Sequence, residues 1–256
     1  MIIYFLVALF ATLIGSTAGM GGGVIIKPIL DMLGDYNITT ISILSSFTVL
    51  SMAVVATIRQ VNTGFKITDT IIFTTIGAVV GGILGSILFN QLKVGINPNM
   101  ITVIQSAVLI LLLVICLVYE KLPHMHIQST ILKGIVGVAL GLFSSFLGIG
   151  GGPINVAVLC LLFNFELRQA ARVSVFIILF SQIAGLVTKG IDGSFASMES
   201  YTMLYVMIPA AILGGLIGAR LNLSISEKNI KLIFKTTVVL VMVIFLYNIF
   251  KNISAI

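Results

Sequence analysis

Charge is scarce in this chain. Only 9% of its 256 residues are Asp, Glu, Lys or Arg. The eight acidic residues, Asp31, Asp35, Asp69, Glu120, Glu166, Asp192, Glu199 and Glu227, all read as loop or segment-end positions. A buried carboxylate relay of the kind proton-driven carriers use is therefore not expected. There are two cysteines, Cys116 and Cys160, both within apolar runs and with no CxxC, so disulfide, redox and thiolate-metal chemistry have almost no support. His124 and His126 stand together in the central loop, and two ligands fall short of a metal site. No GxxxxGK[ST] occurs, which removes the NTPase class. No nucleophile–base pair stands out either, so neither an enzyme nor a bound cofactor is expected. The N-terminus lacks a basic stretch and a small-residue cleavage site, and the first segment is read as mature protein rather than signal peptide.

What the chain has instead is apolar length. Hydrophobic residues make up 59% of it and the mean hydropathy is +1.21, values that place it among multi-pass membrane proteins. The net charge of +6 is read as Lys and Arg of cytoplasmic loops, with no nucleic-acid partner implied. Apolar segments run at about 2–33, 38–58, 70–89, 100–118, 131–163, 173–188, 202–221 and 232–250. The first and fifth are too long for one ordinary span, and each carries a glycine cluster at its middle: Gly19, Gly21, Gly22 and Gly23 in GMGGG, and Gly148, Gly150, Gly151 and Gly152 in GIGGG. Glycine lets the backbone leave the helix there, which at membrane depth is tolerated only where protein or a wet cavity covers it.

The two clusters are 129 residues apart, and at that offset Ser16 falls on Ser145, Ser45 on Ser174, Phe47 on Phe176 and Gly64 on Gly193. Later, GAVVGGILGSIL (77–88) resembles AAILGGLIGARL (210–221), with small-xxx-small pairs Gly81/Gly85 and Gly214/Gly218 that read first as helix-packing faces and also permit a homodimer. The expected organisation is a first transmembrane repeat over 1–118, a cytoplasmic linker over 119–130 and a second repeat over 131–256.

Loop charges choose between two arrangements. If each long segment crosses once, Lys and Arg divide six against seven; if each is a hairpin turning at its glycines, they divide three against ten. The second is the asymmetry expected of short loops. A hairpin plus three spans is an odd number of crossings, so the second repeat would be inverted, with both termini outside. The predicted fold is thus all-α and polytopic: two inverted repeats, each a glycine-broken helical hairpin plus three transmembrane helices. Such repeats are the build of secondary transporters.

Two opposed broken segments would bring backbone N–H groups and helix N-termini to the midplane, a setting that suits an anion. Candidate ligands are the glycine turns, the matched hydroxyls of Ser45 and Ser174, and Asn155. Lys27 is read as the only clearly intramembrane charge, either lining the site or snorkelling to the outer interface. Gln105 and Gln182 read as helix bridges, and Arg172 as a topology marker.

GMGGGVIIKPIL (19–30) and GIGGGPINVAVL (148–159), with LSSF (44–47) and VSVF (173–176), resemble the doubled GxGGG element and the TSL element of the sulfite exporter TauE/SafE family. Pro28 keeps the proline of that element and Ala157 replaces it in the second copy; Leu44 and Val173 stand where the threonine would be. The resemblance implies transport of a small sulfur-containing or organic acid anion, such as sulfite, sulfoacetate or a related sulfonate, across the plasma membrane. The expected mechanism is rocking of one half against the other. An anion channel and a non-transporting membrane scaffold are the rival readings.

Overall fold

Apolar sequence in lipid stays helical because the backbone has no other hydrogen-bond partner. It stops being helical here only at glycines, prolines and polar turns. The computed structural model describes residues 1–123 and 125–253, the side chains of Lys93 and Val94 excepted; His124, half of the histidine pair noted above, lies outside them. The described residues form ten α-helices and no strand: α1 (Ile2–Ala18), α2 (Gly23–Leu33), α3 (Ile38–Asn62), α4 (Asp69–Gly95), α5 (Pro98–Val118), α6 (Thr130–Leu147), α7 (Gly152–Phe163), α8 (Leu167–Ile191), α9 (Thr202–Ser224) and α10 (Glu227–Ile253). Seven of them, α3 to α6 and α8 to α10, are long and apolar enough to cross a membrane.

Both glycine clusters break their segments in the same way. Gly19 (φ 76°) and Gly148 (φ 66°) end α1 and α6 in the left-handed conformation. Gly22 (φ 69°, ψ −32°) and Gly151 (φ 84°, ψ −30°) start α2 and α7 in a region that a side chain all but forbids.

The second arm of each pair returns towards the place where the first began. Tyr4, near the start of α1, donates its hydroxyl to Asp35 just past α2, and its ring meets Tyr36 edge-on at 5.9 Å. In the second pair, Met125 N donates to Leu161 O at 2.8 Å and Ile127 N to Leu162 O at 3.0 Å, tying the lead-in of α6 to the last turn of α7.

Contacts between helix ends fall into two groups. One gathers the end of α2 and start of α3 with the ends of α8 and α10: Glu199 Oε2 accepts from Asn37 N at 2.8 Å, and Lys251 Nζ donates to Met32 O at 3.0 Å. Asn90 donates to Asp192 there. The other gathers the end of α5 with the starts of α8 and α10. Glu120 takes Lys231 at 2.8 Å and Lys235 at 2.9 Å, and Arg168 donates to Leu223 O at 2.9 Å and Ile225 O at 2.6 Å. Asp35 belongs to the first end and Arg168 to the second.

The helices do not pack half by half. α1 runs along α9, and α6 along α4, with α3 also on α9 and α8 also on α4. α2 leans on α10 and α7 on α5. These pairings sort the helices into two sets of five, α1 to α3 with α9 and α10, and α4 to α8; the sets are joined by α3 on α8 and by α5 on α10, each of which packs on the other more than on its own set. Small residues make the close pairs. A Cβ on Gly81 would come 2.0 Å from Val138 O, and one on Gly218 2.3 Å from Leu13 O. Here the small-xxx-small pairs serve backbone-to-backbone packing within the chain.

Candidate functional site

The two glycine turns meet. A Cβ on Gly23 would fall 2.3 Å from Ile149 O, and one on Gly152 would fall 3.3 Å from Met20 O. Those two contacts are equivalent at the 129-residue offset, so the turns face each other with near two-fold reciprocity. A Cβ on Gly21 would also lie 3.3 Å from Gly150 O. A side chain at Gly21, Gly23 or Gly152 would push against the opposite turn. All twelve predicted site residues are buried: Gly19, Gly21 to Gly23, Lys27, Ser45, Gly148, Gly150 to Gly152, Asn155 and Ser174.

The turns leave carbonyls at the ends of α1 and α6 without helical partners, and side chains from elsewhere supply donors. Asn222 Nδ2 donates to Thr17 O at 2.7 Å, and Ser174 Oγ donates to Gly19 O at 2.6 Å. At the matching place on α6, Gln105 Nε2 donates to Phe146 O at 2.6 Å and Lys27 Nζ to Leu147 O at 2.7 Å. Lys27 also donates to Gln105 Oε1. Its side chain is 2% exposed and turned inward, so it does not snorkel. A cation at a helix C-terminus is favourably placed against the helix dipole.

The matched serines differ. Ser174 is bound neither to its own helix nor to open space but to the opposite turn, whereas Ser45 Oγ is buried with no partner. Both amide atoms of Asn155 are likewise buried and unpartnered, and the amide sits beside Gly151 at the start of α7: a Cβ there would come 2.6 Å from Asn155 Nδ2. Buried polar atoms without partners are uncommon and ask for a reason. The Asn155 amide lies at a helix N-terminus, where N–H groups and the dipole favour negative charge.

One expectation changes, that of Lys27 as the only buried charge. Gln182 bridges α8 to α6 through Ser144 Oγ at 3.3 Å, and Gln105 joins Lys27 to the end of α6 rather than bridging alone. Arg172 stays at the second end, donating to Gln60 O at 3.2 Å with its guanidinium 5.1 Å from the centre of the Phe65 ring. Lys27 is not the only charge inside: Lys189, one of the three in the loop-charge count above, is 3% exposed in the last turn of α8. Its ammonium donates to Ser42 Oγ at 2.9 Å and Ser46 Oγ at 3.1 Å. Sequence position alone hides this, because the polar run that follows 189 makes the residue look solvated. The available signal was the serine-rich start of α3, Ser42, Ser45 and Ser46, one helical turn of hydroxyls with no partner in their own segment.

A cleft of about 720 Å³ opens at the first end, between α2, α3, α5 and α10; Asp31, Asn37, Asn99, Thr102 and Lys251 are among its polar walls. Ile41 and Ile101, each 2% exposed, also line it.

The sequence profile of the family described as Sulfite exporter TauE/SafE matches residues 4–245. The chain is 27% identical over 271 residues to "Probable membrane transporter protein YunE" of Bacillus subtilis (strain 168), covering 94% of this chain and 95% of that protein. It is 24% identical over 257 residues to "Probable membrane transporter protein MJ0441" of Methanocaldococcus jannaschii, covering 90% of each. A third relative, "Probable membrane transporter protein MamO" of Paramagnetospirillum magneticum, is 33% identical over 120 residues, 45% of this chain and 18% of that much longer protein. No solved structure matches.

Proposed function

Because this chain belongs to the sulfite exporter TauE/SafE family, we propose that it is a secondary transporter moving a small anion, sulfite, a sulfonate or a related sulfur-containing or organic acid anion, across the plasma membrane by alternating access. The observation that carries the reading is the tip-to-tip meeting of two glycine-broken helix pairs, with Gly23 against Ile149 and Gly152 against Met20. Paired broken helices at one central place are how such carriers build a site from backbone dipoles. The unpartnered Asn155 amide, beside Gly151, adds a donor to that place.

The repeats are inverted in this proposal. Support comes from the end contacts: the first hairpin is tied at the Asp35 end and the second at the Arg168 end. The second end carries most of the Lys and Arg, so it faces the cytoplasm and the termini face outside. The buried state of every site residue fits a closed conformation that must open to load. The moving bodies are α1 to α3 with α9 and α10 against α4 to α8, rather than the sequence halves expected above, because helix packing crosses between those halves.

Purified protein in proteoliposomes should give saturable uptake of radiolabelled sulfite or thiosulfate, and counterflow when the lumen is preloaded. Linear flux without counterflow would make it a channel; no flux with sulfite, sulfoacetate, thiosulfate or acetate would remove the transporter reading.

A further inference from the structure

Helical spacing puts Val55, Ile58, Arg59 and Asn62 on one face of α3. That face, with Thr63 and with Leu216 of α9, lines a groove of about 400 Å³. Its inner part is apolar. Ile58 and Leu216 are exposed there, and Gly215 lets α9 come close: a Cβ on it would stand 2.9 Å from Val55 Cγ2. Its outer part is polar and belongs to the second end, where the neighbouring Gln60 O accepts from Arg172 at 3.2 Å. Arg59 Nε is buried with no hydrogen-bond partner, and no salt bridge reaches its guanidinium among the described residues. Thr63 Oγ1 is spent on the carbonyls of Arg59 and Gln60, at 3.1 and 3.0 Å, so the donors left to the groove are the guanidinium and the exposed Asn62 amide. Arg220, four residues past Leu216 and on the same face of α9, adds positive charge towards that end. An arginine that merely snorkels carries its whole head into water; here the Nε stays inside, at the level where a membrane-crossing helix ends. A guanidinium fork is matched to the oxygens of a phosphate.

We infer that the groove between α3 and α9 binds one anionic phospholipid of the leaflet at the second end, its phosphodiester on Arg59 and Asn62 and an acyl chain along Val55, Ile58 and Leu216. Charge selects the lipid class. Phosphatidylglycerol brings a negative charge and no cation, whereas a choline or ethanolamine headgroup would set its ammonium against Arg59 and Arg220. A lipid seated there braces α3 against α9. The site is separate from the glycine turns and stands whether or not the chain carries an anion.

The test is native mass spectrometry of the full chain released from micelles that hold equimolar phosphatidylglycerol and phosphatidylcholine. The wild-type chain should keep one phosphatidylglycerol in preference; no preference overturns the site. Arg59→Gln should cut the preference about fivefold, the factor expected of one basic residue at a membrane surface, and Arg59→Lys should keep most of it. Lys228→Gln removes a charge from the same end, beside Tyr119 and Glu120 and away from the groove, and should leave the preference intact. Equal losses from Arg59→Gln and Lys228→Gln would mean diffuse attraction to the leaflet and overturn the site. Leu216→Trp fills the groove, keeps every charge and should release the lipid; Asn62→Ala, with a smaller loss, serves if that variant does not fold. Glycerol phosphate, a headgroup without chains, should not displace the lipid at millimolar concentration. Displacement would make the groove a free phosphate-ester site, and a wild-type dimer split by Leu216→Trp would give it to a second copy; either result overturns the lipid assignment.

Discussion

Neither amide atom of Asn155 has a partner, although the side chain is 1% exposed. Leaving such a group unsatisfied costs about 1–3 kcal/mol. Replacing it with Leu, of the same branched shape, should therefore raise thermal stability while lowering flux, since the donor that the anion would use is gone. Thermal unfolding beside proteoliposome uptake checks both directions; a variant that loses stability and keeps full flux would make Asn155 structural. Glycine substitutions give a second contrast. Gly64 (φ 81°) has nothing within 4 Å of a built Cβ, whereas one on Gly151 (φ 84°) would come 2.6 Å from the Asn155 amide. Gly64→Ala should cost only the left-handed backbone penalty, about 1–2 kcal/mol, with flux unchanged. Gly151→Ala should cost more and abolish transport. A bulkier Leu at Gly22 or Gly151 would report on folding as much as on function, because a Cβ on Gly22 already stands 3.0 Å from Ala11 O.

Helix packing carries the next scale. On α4, Gly77, Gly81 and Gly85 lie one turn apart, and Cβ atoms there would meet Gly134 O, Val138 O and Leu142 O at 2.1, 2.0 and 2.3 Å. Gly81→Val should drive α4 from α6 and give a chain that fails to survive extraction in detergent, since overpacking of this kind costs about 1–3 kcal/mol or more. Gly134→Ala meets nothing within 4 Å and should instead stabilise by up to about 1 kcal/mol through helix propensity. Monodispersity on size exclusion and unfolding temperature separate the two. These helices were legible in the sequence because apolar length and the doubled GxGGG mark where each segment must run and where it must break. Gly19 and Gly148 end their helices as that pattern requires. The neighbours were not legible. Nothing in the residues of α1 says that its small face fits α9, because close backbone packing leaves only a small-residue stripe that fits many partners. Lys189 escaped for a related reason: whether a lysine two residues from a helix end points out or in depends on which helix stands opposite, and α3 happens to offer hydroxyls there.

For the whole molecule, the proposed motion of one five-helix set against the other predicts which constraints stop transport. With Cys116 and Cys160 replaced, cysteines at Asn90 and Asp192, both within the α4–α8 body, should accept a bifunctional thiol crosslinker with flux intact. Cysteines at Glu120 and Lys235 join the two bodies, and crosslinking them should block flux until the link is cleaved. Equal inhibition by both pairs would count against motion along this boundary.

The exchange of partners between halves also bears on how the chain is made. Ser16 Oγ donates to Gly215 O at 3.0 Å, across 199 residues of sequence. During synthesis α1 must therefore wait in the bilayer, its small-residue face covered by lipid or by the insertion machinery, until α9 leaves the ribosome. A chain truncated before α9 would hold a finished first half with no stable home for its opening helix, and ought to be recognised and degraded as an orphan. The same two halves supplied as separate polypeptides in one cell should rescue each other.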